Sequence, residues 1–474
     1  MVNNIIPTPK KVLLAEGMCE LPLAVSCNEA WLPYAKSFSD AFERLFGCAL
    51  KCGEEGIRLV LDKELPKNAY RLDSRNGILL YASDKEGLFY AMATLLLAIC
   101  ARDGKFTLEK ALIEDYPDKD YRALLVDLAR EWHPTHTIHQ YIELCFILKI
   151  KYLQLHFGDD QGYTLPSRAF PHLTDGYRHY SFEEIEEICV HAKERNIILI
   201  PEIDVPGHAT ILNRNCPDVF RNTMLPESVA DGSVPENPNV ICAGSQKAFE
   251  AVKTLIDELC ALFPDAPYIH IGGDEARIKA WNHCSVCLSY MKEHGIEDEY
   301  ELYSEFVGRV ARYVLTCGRT PIVWEGFPKK GVKHIPKEAI VIVWESYYHM
   351  ADDLLREGFQ IINASWKPLY IVPNLDRRWG VSEILSWNVY TWQHFSAMSK
   401  AYLNPIVVSP TENVLGAELC AWESTFEAEI GRTVENLLAL SEKTWTVERL
   451  HSDAEFMKRA TPSLIRATRF IQEK

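Results

Sequence analysis

Apolar residues recur along the chain in short runs, and most gaps between these runs carry a helical pattern. Eight runs follow residue 118: ALLVDLA (123–129), YLQLHF (152–157), NIILIPEID (196–204), YIHIGGDE (268–275), TPIVWEG (320–326), AIVIVWE (339–345), QIINASW (360–366) and VLGAELCAW (414–422). Runs that alternate with amphipathic helices are typical of buried parallel strands. Eight β/α units predict a (β/α)₈ TIM barrel, with a doubly wound open sheet as the alternative on pattern alone. The seventh unit has the weakest pattern, because residues 367–413 form a long, aromatic-rich stretch.

The first part of the chain has a different pattern. An apolar helical pattern over 83–99 follows three short strand candidates, GIRLVL (56–61), YRLDSR (70–75) and GILLYA (77–82). Ser83 and Glu86 have the spacing of a capping box at the start of this helix, and Ser181 and Glu184 repeat that spacing later in the chain. We predict a small α+β domain over residues 1–117 and a barrel with C-terminal helices over residues 118–474.

Composition narrows the class of protein. Of the 474 residues, 47% are hydrophobic and 24% are charged, which is typical of a soluble globular protein. The formal charge of −16 argues against binding nucleic acid or an anionic membrane through a general electrostatic field. No apolar stretch approaches the roughly 20 residues that span a bilayer, and the N-terminus lacks the features of a secretory signal. The fourteen cysteines have no disulfide spacing, so we predict free thiols and a cytoplasmic location.

Polar residues and tryptophans end the predicted strands. In a TIM barrel the carboxyl ends of the strands and the loops after them build the active site. A single acid there is more often a helix cap and a single tryptophan more often core, but their repetition exceeds what capping and packing explain. Aromatic rings stack on the apolar faces of a sugar, and carboxylates accept from its hydroxyls. The residues in question are Asp127, Arg130, His156, Asp159, Asp160, Glu202, Asp204, His208, His270, Asp274, Glu275, Trp324, Glu325, Trp344, Glu345, Trp366, Trp422 and Glu423.

The segment HIGGDE (270–275) combines a turn with two adjacent acids. Two glycines after a buried strand let the backbone turn tightly or let a ligand approach. Two neighbouring carboxylates push at least one pKa upward, and a raised Glu pKa suits a general acid. Ordinary retaining glycosidases instead hold nucleophile and acid on facing walls, roughly 5 Å apart. Asp274 and Glu275 therefore suggest a division of labour, with one acid protonating the leaving oxygen and the other serving a different group.

These segments resemble glycoside hydrolase family 20, the β-N-acetylhexosaminidases, over nearly the whole chain. The family signature H-x-G-[GA]-D-E stands at His270 to Glu275, and four further family segments occur in order: YRALLVDLAR, LHFGDDQGY, PEIDVPGHA and LGAELCAWE. The N-terminal segments IIPTPKKV and DKEGLFYAMATL are similar to the small domain that precedes the family's barrel. The resemblance implies an exo-acting enzyme that removes terminal non-reducing β-linked GlcNAc, GalNAc or both.

The resemblance also implies a substrate-assisted mechanism. The acetamido carbonyl of the sugar attacks its own anomeric carbon and forms an oxazolinium intermediate. Asp274 then orients the acetamido group and stabilises the charge on its nitrogen, while Glu275 is the general acid and later the general base, with net retention. An internal nucleophile has a high effective molarity, which explains why the enzyme supplies none.

Other site residues follow from the same resemblance. Arg122 matches the arginine that binds sugar hydroxyls, Asp159 a subsite acid, and His208 with Asp204 a polar support. Three tryptophans match the aromatic residues around the sugar: Trp324, Trp344 and Trp422.

Two positions depart from the family pattern. Where the family has Tyr-x-Asp, with the tyrosine donating to the acetamido oxygen, the chain has Asn374-Leu375-Asp376, and Tyr370 or Tyr390 is the alternative donor. The second departure concerns a hydroxyl-binding Glu, expected two residues after Trp422. Ser424 stands there, with Glu423 one residue earlier.

Other readings have less support. His283-Cys284-x-x-Cys287 resembles half of a metal site, but no second pair is spaced for zinc, so a structural role or chance is favoured. We expect no metal and no organic cofactor, and a carbohydrate with a terminal N-acetylhexosamine as the partner, with a homodimer as one arrangement. The rival functions are a differently specialised TIM-barrel glycosidase and a non-catalytic carbohydrate-binding protein.

Overall fold

The computed structural model of the protein describes residues 2–53, 56–226, 228, 238–373 and 379–472. Two sheets organise these residues. A mixed sheet lies within residues 11–115, and a closed barrel of eight parallel strands lies within residues 121–421. Among the described residues, no helix combines the length and the apolar character that crossing a bilayer requires.

The N-terminal sheet has eight strands, with order β1-β8-β5-β6-β4-β2-β3 and β7 paired to β8. Two helices, α1 (Leu32–Phe46) and α2 (Lys85–Ala98), contact each other and this sheet. The strands are β1 (Lys11–Glu20), β2 (Ala24–Cys27), β3 (Lys51–Cys52), β4 (Ile57–Leu61), β5 (Tyr70–Asp73), β6 (Leu79–Ala82), β7 (Cys100–Arg102) and β8 (Lys105–Asp115).

The cap of α2 differs from the sequence prediction. Asp84, not Ser83, is the N-cap residue, and its carboxylate accepts a hydrogen bond from the Gly87 N–H at 2.8 Å. Ser83 instead donates to the Pro66 carbonyl. The predicted capping box of Ser181 and Glu184 is confirmed, with both reciprocal hydrogen bonds present.

The barrel closes because the last strand pairs with both the first and the seventh. This confirms the TIM barrel. Its strands are β9 (Tyr121–Asp127), β10 (Tyr152–His156), β11 (Ile198–Glu202), β12 (Tyr268–His270), β13 (Thr320–Trp324), β14 (Ile340–Val343), β15 (Gln360–Asn363) and β19 (Val414–Ala421). Between the last two lie the short strands β16 (Tyr370–Ile371), β17 (Thr391–Trp392) and β18 (Ile406–Val407), and β16 adds to β19 at its carboxyl end.

Helices follow the barrel strands, and most of the long ones contact a strand directly. They are α3 (Thr135–Ile147), α4 (Phe182–Glu194), α5 (Thr210–Asn215), α6 (Pro217–Phe220), α7 (Gln246–Leu262), α8 (Ser285–His294), α9 (Glu299–Thr316), α10 (Ala351–Arg356), α11 (Trp366–Leu369), α12 (Val381–Ser386), α13 (Phe426–Trp445) and α14 (Asp453–Ile471). The last of these, α14, contacts α1 and α2 of the N-terminal region as well as α3 of the barrel.

A buried polar cluster also joins the N-terminal sheet to the barrel. Asp115 at the end of β8 accepts hydrogen bonds from the Tyr70 hydroxyl and from the Trp445 indole at 2.9 Å. The Lys149 ammonium lies 3.4 Å from the same carboxylate and is fully buried. Because burying an unpaired charge is costly, these partners fix how the two sheets sit together.

Candidate active site

A pocket opens at the carboxyl ends of the barrel strands. This is the end at which TIM barrels place their reactive groups. Most of the strand-end residues singled out in the sequence line it. The lining residues are Arg130, His156, Asp159, Asp204, His208, Asp274, Glu275, Trp324, Trp344, Trp366, Tyr370, Val372, Trp422 and Glu423.

Glu202, at the end of β11, anchors the floor of this pocket. Its fully buried carboxylate accepts from the Trp324 indole at 2.6 Å and lies 3.1 Å from His156 Nδ1 and 3.0 Å from His270 Nδ1. The two imidazoles hold the pKa of Glu202 well below its usual range despite the opposing effect of burial. The anionic Glu202 thereby fixes the orientation of three rings beneath the pocket.

The turn after β12 places Asp274 beside Asp204. Gly272 has a φ of +69°, and a Cβ at that position would lie 1.7 Å from Asp204 Oδ1, so only glycine fits. Asp204 Oδ1 in turn accepts from the Gly273 N–H at 3.1 Å. Gly273 also has a positive φ, of +94°, so the tight turn predicted from the two glycines of the motif is confirmed.

Of the two adjacent acids, Asp274 is the one whose pKa is raised. Burial raises the pKa of Asp274 to about 6, against the lowering effect of the neighbouring His208. Burial and the Asp274 charge also raise the pKa of Asp204 well above its usual range. Asp274 Oδ1 is buried and has no hydrogen-bond partner among the described residues. A buried acceptor of this kind is satisfied by a donor from a ligand.

Glu275 is in a different environment from its neighbour. Its side chain is 52% exposed, and its Oε2 lies 3.4 Å from His208 Nε2. The hydrogen bond from His208 lowers the pKa of Glu275. His208 Nδ1 lies 3.1 Å from Asp159, and the pKa of His208 is raised well above its usual range by Asp159 and Asp204, which outweigh burial. The predicted upward shift in this pair therefore falls on Asp274, and not on Glu275.

Arg130 is the arginine of the pocket. Its guanidinium lies 2.6 Å from Asp159, 3.2 Å from Asp127 and 3.9 Å from Glu423, and it stacks over the Trp422 ring at 5.3 Å. These carboxylates keep the pKa of Arg130 above its usual value. A planar, permanently charged fork of this kind is suited to sugar hydroxyls.

The assignment of Arg122 to the sugar site is wrong. Arg122 lies at the start of β9, at the opposite end of the barrel, and is fully buried. It donates to the backbone carbonyls of Lys119 and Lys149 at 2.5 and 2.9 Å and to the Tyr90 hydroxyl of α2 at 2.5 Å. Arg122 therefore joins the barrel to the N-terminal region and does not reach the pocket.

Aromatic rings form the walls. Trp344 and Trp366 each lie nearly parallel to Tyr370, with ring centroids 6.0 and 4.4 Å apart. Trp324 lies 6.0 Å from Trp422. The Trp422 indole N–H is buried without a partner among the described residues, so it is a free donor at the pocket. Three of these rings were singled out by the resemblance, whereas Trp366 was noted only as a strand end and Tyr370 only as an alternative.

Comparison with known proteins decides the family. Residues 120–448 match the model described as "Glycosyl hydrolase family 20, catalytic domain", and residues 2–116 match "Glycosyl hydrolase family 20, domain 2". The chain belongs to glycoside hydrolase family 20. A β-hexosaminidase of Porphyromonas gingivalis is 28% identical over 72% of this family 20 chain and 47% of its own length. A β-hexosaminidase of Akkermansia muciniphila is 27% identical over 77% of each chain.

Solved structures of family 20 proteins share the fold. The exo-β-N-acetylglucosaminidase of Vibrio harveyi, solved with N-acetylglucosamine, superimposes with a TM-score of 0.85 at 20% identity, covering 100% of this chain and 79% of that one. The β-N-acetylhexosaminidase of Bacteroides fragilis gives a TM-score of 0.79 at 24% identity, covering 97% of this chain and 94% of that one.

The first departure from the family 20 pattern concerns Asn374 and its alternatives, Tyr370 and Tyr390. Asn374 and Asp376 lie outside the described residues. Tyr370 lines the pocket on β16, and Val372, two residues later, lines it as well. Tyr390 packs under the Lys119 ammonium, which belongs to the segment before β9.

The two residues that follow Trp422 lie in different environments. Glu423 lines the pocket with a left-handed backbone, at a φ of +56°. Ser424 is buried and hydrogen-bonds Glu429 behind the pocket. The only carboxylate that this segment presents to the pocket among the described residues is therefore that of Glu423.

Proposed function

We propose that this family 20 chain is an exo-β-N-acetylhexosaminidase that acts by substrate-assisted catalysis with retention of configuration. The single observation that carries the proposal is the buried, unpartnered Oδ1 of Asp274 beside the half-exposed Glu275. Asp274 Oδ1 has no hydrogen-bond donor among the described residues, and the N–H of an acetamido group can supply one. The Glu275 carboxyl group is exposed enough for a glycosidic oxygen to reach it. The β-hexosaminidase names of the relatives from Porphyromonas and Akkermansia support the same activity.

In the first step the sugar acts as its own nucleophile. The acetamido carbonyl oxygen bonds to the anomeric carbon as the glycosidic C–O bond breaks, and the Glu275 proton passes to the departing oxygen. Positive charge develops on the acetamido nitrogen, where the Asp274 carboxylate accepts its N–H. A preorganised charge of this kind, already inside the protein, needs no reorganisation during the reaction.

In the second step water resolves the oxazolinium ion. Water bonds to the anomeric carbon while the ring C–O bond of the oxazolinium breaks, and Glu275 accepts the proton of the water. Two inversions at the same carbon give net retention. Because the proton lost in the first step returns in the second, Glu275 ends the cycle as it began.

The remaining pocket groups bind the sugar. Arg130 and Glu423 present a donor fork and an acceptor to its hydroxyls, and Trp422 offers its free indole N–H. The stacked rings of Trp344 and Trp366 confine the acetamido side, and we assign to the Tyr370 hydroxyl the hydrogen bond to the acetamido oxygen. His208 and Asp159 act as positioning residues for Glu275.

Dependence on the N-acetyl group tests this function. Hydrolysis of the 4-nitrophenyl N-acetyl-β-glucosaminide and N-acetyl-β-galactosaminide is expected, with inhibition by a thiazoline analogue of the oxazolinium ion. Equal turnover of plain 4-nitrophenyl β-glucoside or β-galactoside would favour an ordinary glycosidase instead. Binding of GlcNAc without turnover of any of these substrates would favour a carbohydrate-binding protein.

A cytoplasmic location and a homodimer stay predictions. Cell fractionation with an antibody to the untagged protein measures the first. Light scattering coupled to size-exclusion chromatography measures the second.

A further inference from the structure

Three cysteines from two separate segments of the chain meet in the interior of the protein. Cys242 lies in the loop before α7, Cys284 immediately before α8, and Cys287 in the first turn of α8. All three are at most 1% exposed. Their sulfurs lie within 4.8 Å of one another, with Cys242 Sγ 3.7 Å from Cys284 Sγ and 3.6 Å from Cys287 Sγ.

These distances fit coordination of one ion. Zinc binds thiolate sulfur at about 2.3 Å in a tetrahedron, which places two sulfur ligands about 3.8 Å apart. The Cys-x-x-Cys spacing at the start of a helix supplies two ligands from one turn, as structural zinc sites do. Cys242 supplies the third ligand from 42 positions away in the chain, which is why the sequence alone shows only half a site.

An amide oxygen lies beside the cluster. Asn222 is buried, and its amide N–H₂ donates to the Val240 carbonyl at 2.7 Å, which turns Oδ1 toward the cluster. Asn222 Oδ1 lies 3.9 Å from Cys287 Sγ. For comparison, an oxygen at about 2.1 Å and a sulfur at about 2.3 Å from one tetrahedral zinc are roughly 3.6 Å apart.

Packing of small apolar side chains is the alternative explanation, since free cysteines are often buried in cores. It accounts for one buried thiol but gives no reason for three sulfurs and an amide oxygen to converge. A disulfide joins only two of the three sulfurs and leaves the third unpaired. We propose that Cys242, Cys284 and Cys287 bind a structural Zn²⁺ ion as thiolates, with Asn222 completing the coordination.

The site would brace the loops that carry the catalytic groups. The segment before Cys242 contacts the loop of His208: the Ile241 N–H donates to the Pro206 carbonyl, and the Asn239 carbonyl accepts from the Ala209 N–H, both at 3.0 Å. On the other side, the Ile241 carbonyl accepts from the Trp281 indole at 2.9 Å, in the segment that follows Glu275. An ion that joins Cys242 to Cys284 therefore links both sides of the His208–Glu275 contact.

Metal analysis of the full-length protein tests the proposal. The protein is produced in zinc-supplemented medium, purified under reducing conditions without chelator and desalted. We expect close to one zinc ion per chain by elemental mass spectrometry. Replacement of zinc by Co²⁺ is expected to give the near-ultraviolet charge-transfer absorption of cobalt thiolates. Cys242→Ala, Cys284→Ala and Cys287→Ala each remove the bound zinc, whereas Cys145→Ala, at an equally buried cysteine of α3, retains it.

A second measurement does not depend on the variants folding. Titration of the wild-type protein with a mercurial thiol reagent is expected to release zinc in step with three thiols, as read by a metal-binding dye. Wild-type protein that contains no zinc after this preparation overturns the proposal. So does retention of zinc in Cys284→Ala, or a mass under non-reducing conditions that is two hydrogens lighter, which would show a disulfide.

Discussion

His208 Nε2 lies 3.4 Å from the Glu275 carboxylate, and this contact favours the ionised form of Glu275, the proposed general acid. The contact lowers the pKa of Glu275, while burial raises that of Asp274 to about 6. Without ligand, the proton therefore resides on Asp274. A bound sugar removes water from Glu275 and brings an N–H to Asp274 Oδ1, and both changes move the proton to Glu275. In the proposed mechanism, substrate binding thus prepares Glu275 to act as the general acid.

The pH profile of kcat/KM follows from this arrangement. The reactive form holds one proton on the Asp274–Glu275 pair, so kcat/KM is expected to be bell-shaped, with its alkaline limb near pH 6. The His208 cation lowers the pKa of both acids, so His208→Asn is expected to move both limbs to higher pH. Glu423→Gln is the control and should leave the limbs in place. An unshifted profile in His208→Asn would contradict the proposed coupling.

Glu275→Gln removes the proposed general acid and base. Turnover of a substrate with a poor leaving group is expected to fall about 100- to 10,000-fold, the usual contribution of general acid catalysis. The first step with a 2,4-dinitrophenyl leaving group, which needs little protonation, should fall much less. Pre-steady-state release of the phenol measures that step. Equal losses with both leaving groups would remove Glu275 from the acid role.

Asp274→Asn tests the proposed role of Asp274 in orienting the acetamido group and stabilising the charge on its nitrogen. The amide keeps the shape of the side chain but not its charge, so kcat is expected to fall about 100- to 1,000-fold. Affinity for a thiazoline inhibitor, measured by calorimetry, should fall with it, because this ligand presents to Asp274 the ring nitrogen on which the charge of the oxazolinium ion develops. Inhibitor affinity unchanged from wild type would show that Asp274 does not face the acetamido group.

The two arginines of YRALLVDLAR provide a matched pair. Arg130→Lys loses the planar fork, and kcat/KM is expected to fall about 10- to 100-fold, with little change in Tm. Arg122→Met leaves buried carbonyls unpaired, and the free energy of unfolding is expected to fall by roughly 2 to 4 kcal/mol, with KM unchanged. Steady-state kinetics and denaturant unfolding of both variants measure these effects. The reverse pattern would restore Arg122 to the sugar site.

The sequence predicts part of the fold and of the site, and the two arginines show the difference between a positional rule and a motif match. Alternating runs and strand-end acids predicted the barrel, its polar rim and the glycine turn before Asp274. Arg130 follows β9 at its carboxyl end and Arg122 begins that strand, so the strand-end rule favours Arg130. The resemblance to the family motif instead implies Arg122, in the same segment.

Other features depend on contacts that no sequence pattern contains. The direction of the Glu275 pKa shift is set by His208, 67 positions earlier, and by partial exposure to water. The thiol cluster needs Cys242, which only the packing of its loop on α8 brings to Cys284. The one-residue error at the α2 cap arose because both Ser83 and Asp84 are good N-cap residues.

Glu418 leads to a prediction about stability. It lies on β19 inside the barrel, fully buried, and neither carboxyl oxygen has a hydrogen-bond partner among the described residues. Burial, with the Glu202 charge, raises the pKa of Glu418 well above its usual value of 4.5. A raised folded-state pKa gives stability that is present below the unfolded-state value and is lost as the pH rises toward the folded-state value, at about 1.4 kcal/mol per pKa unit. Glu418→Gln removes this loss, so the variant is expected to gain stability over wild type as pH rises from 5 to 7. Urea unfolding across this range measures the difference, and parallel curves for the two proteins would mean that Glu418 is not held neutral in the barrel.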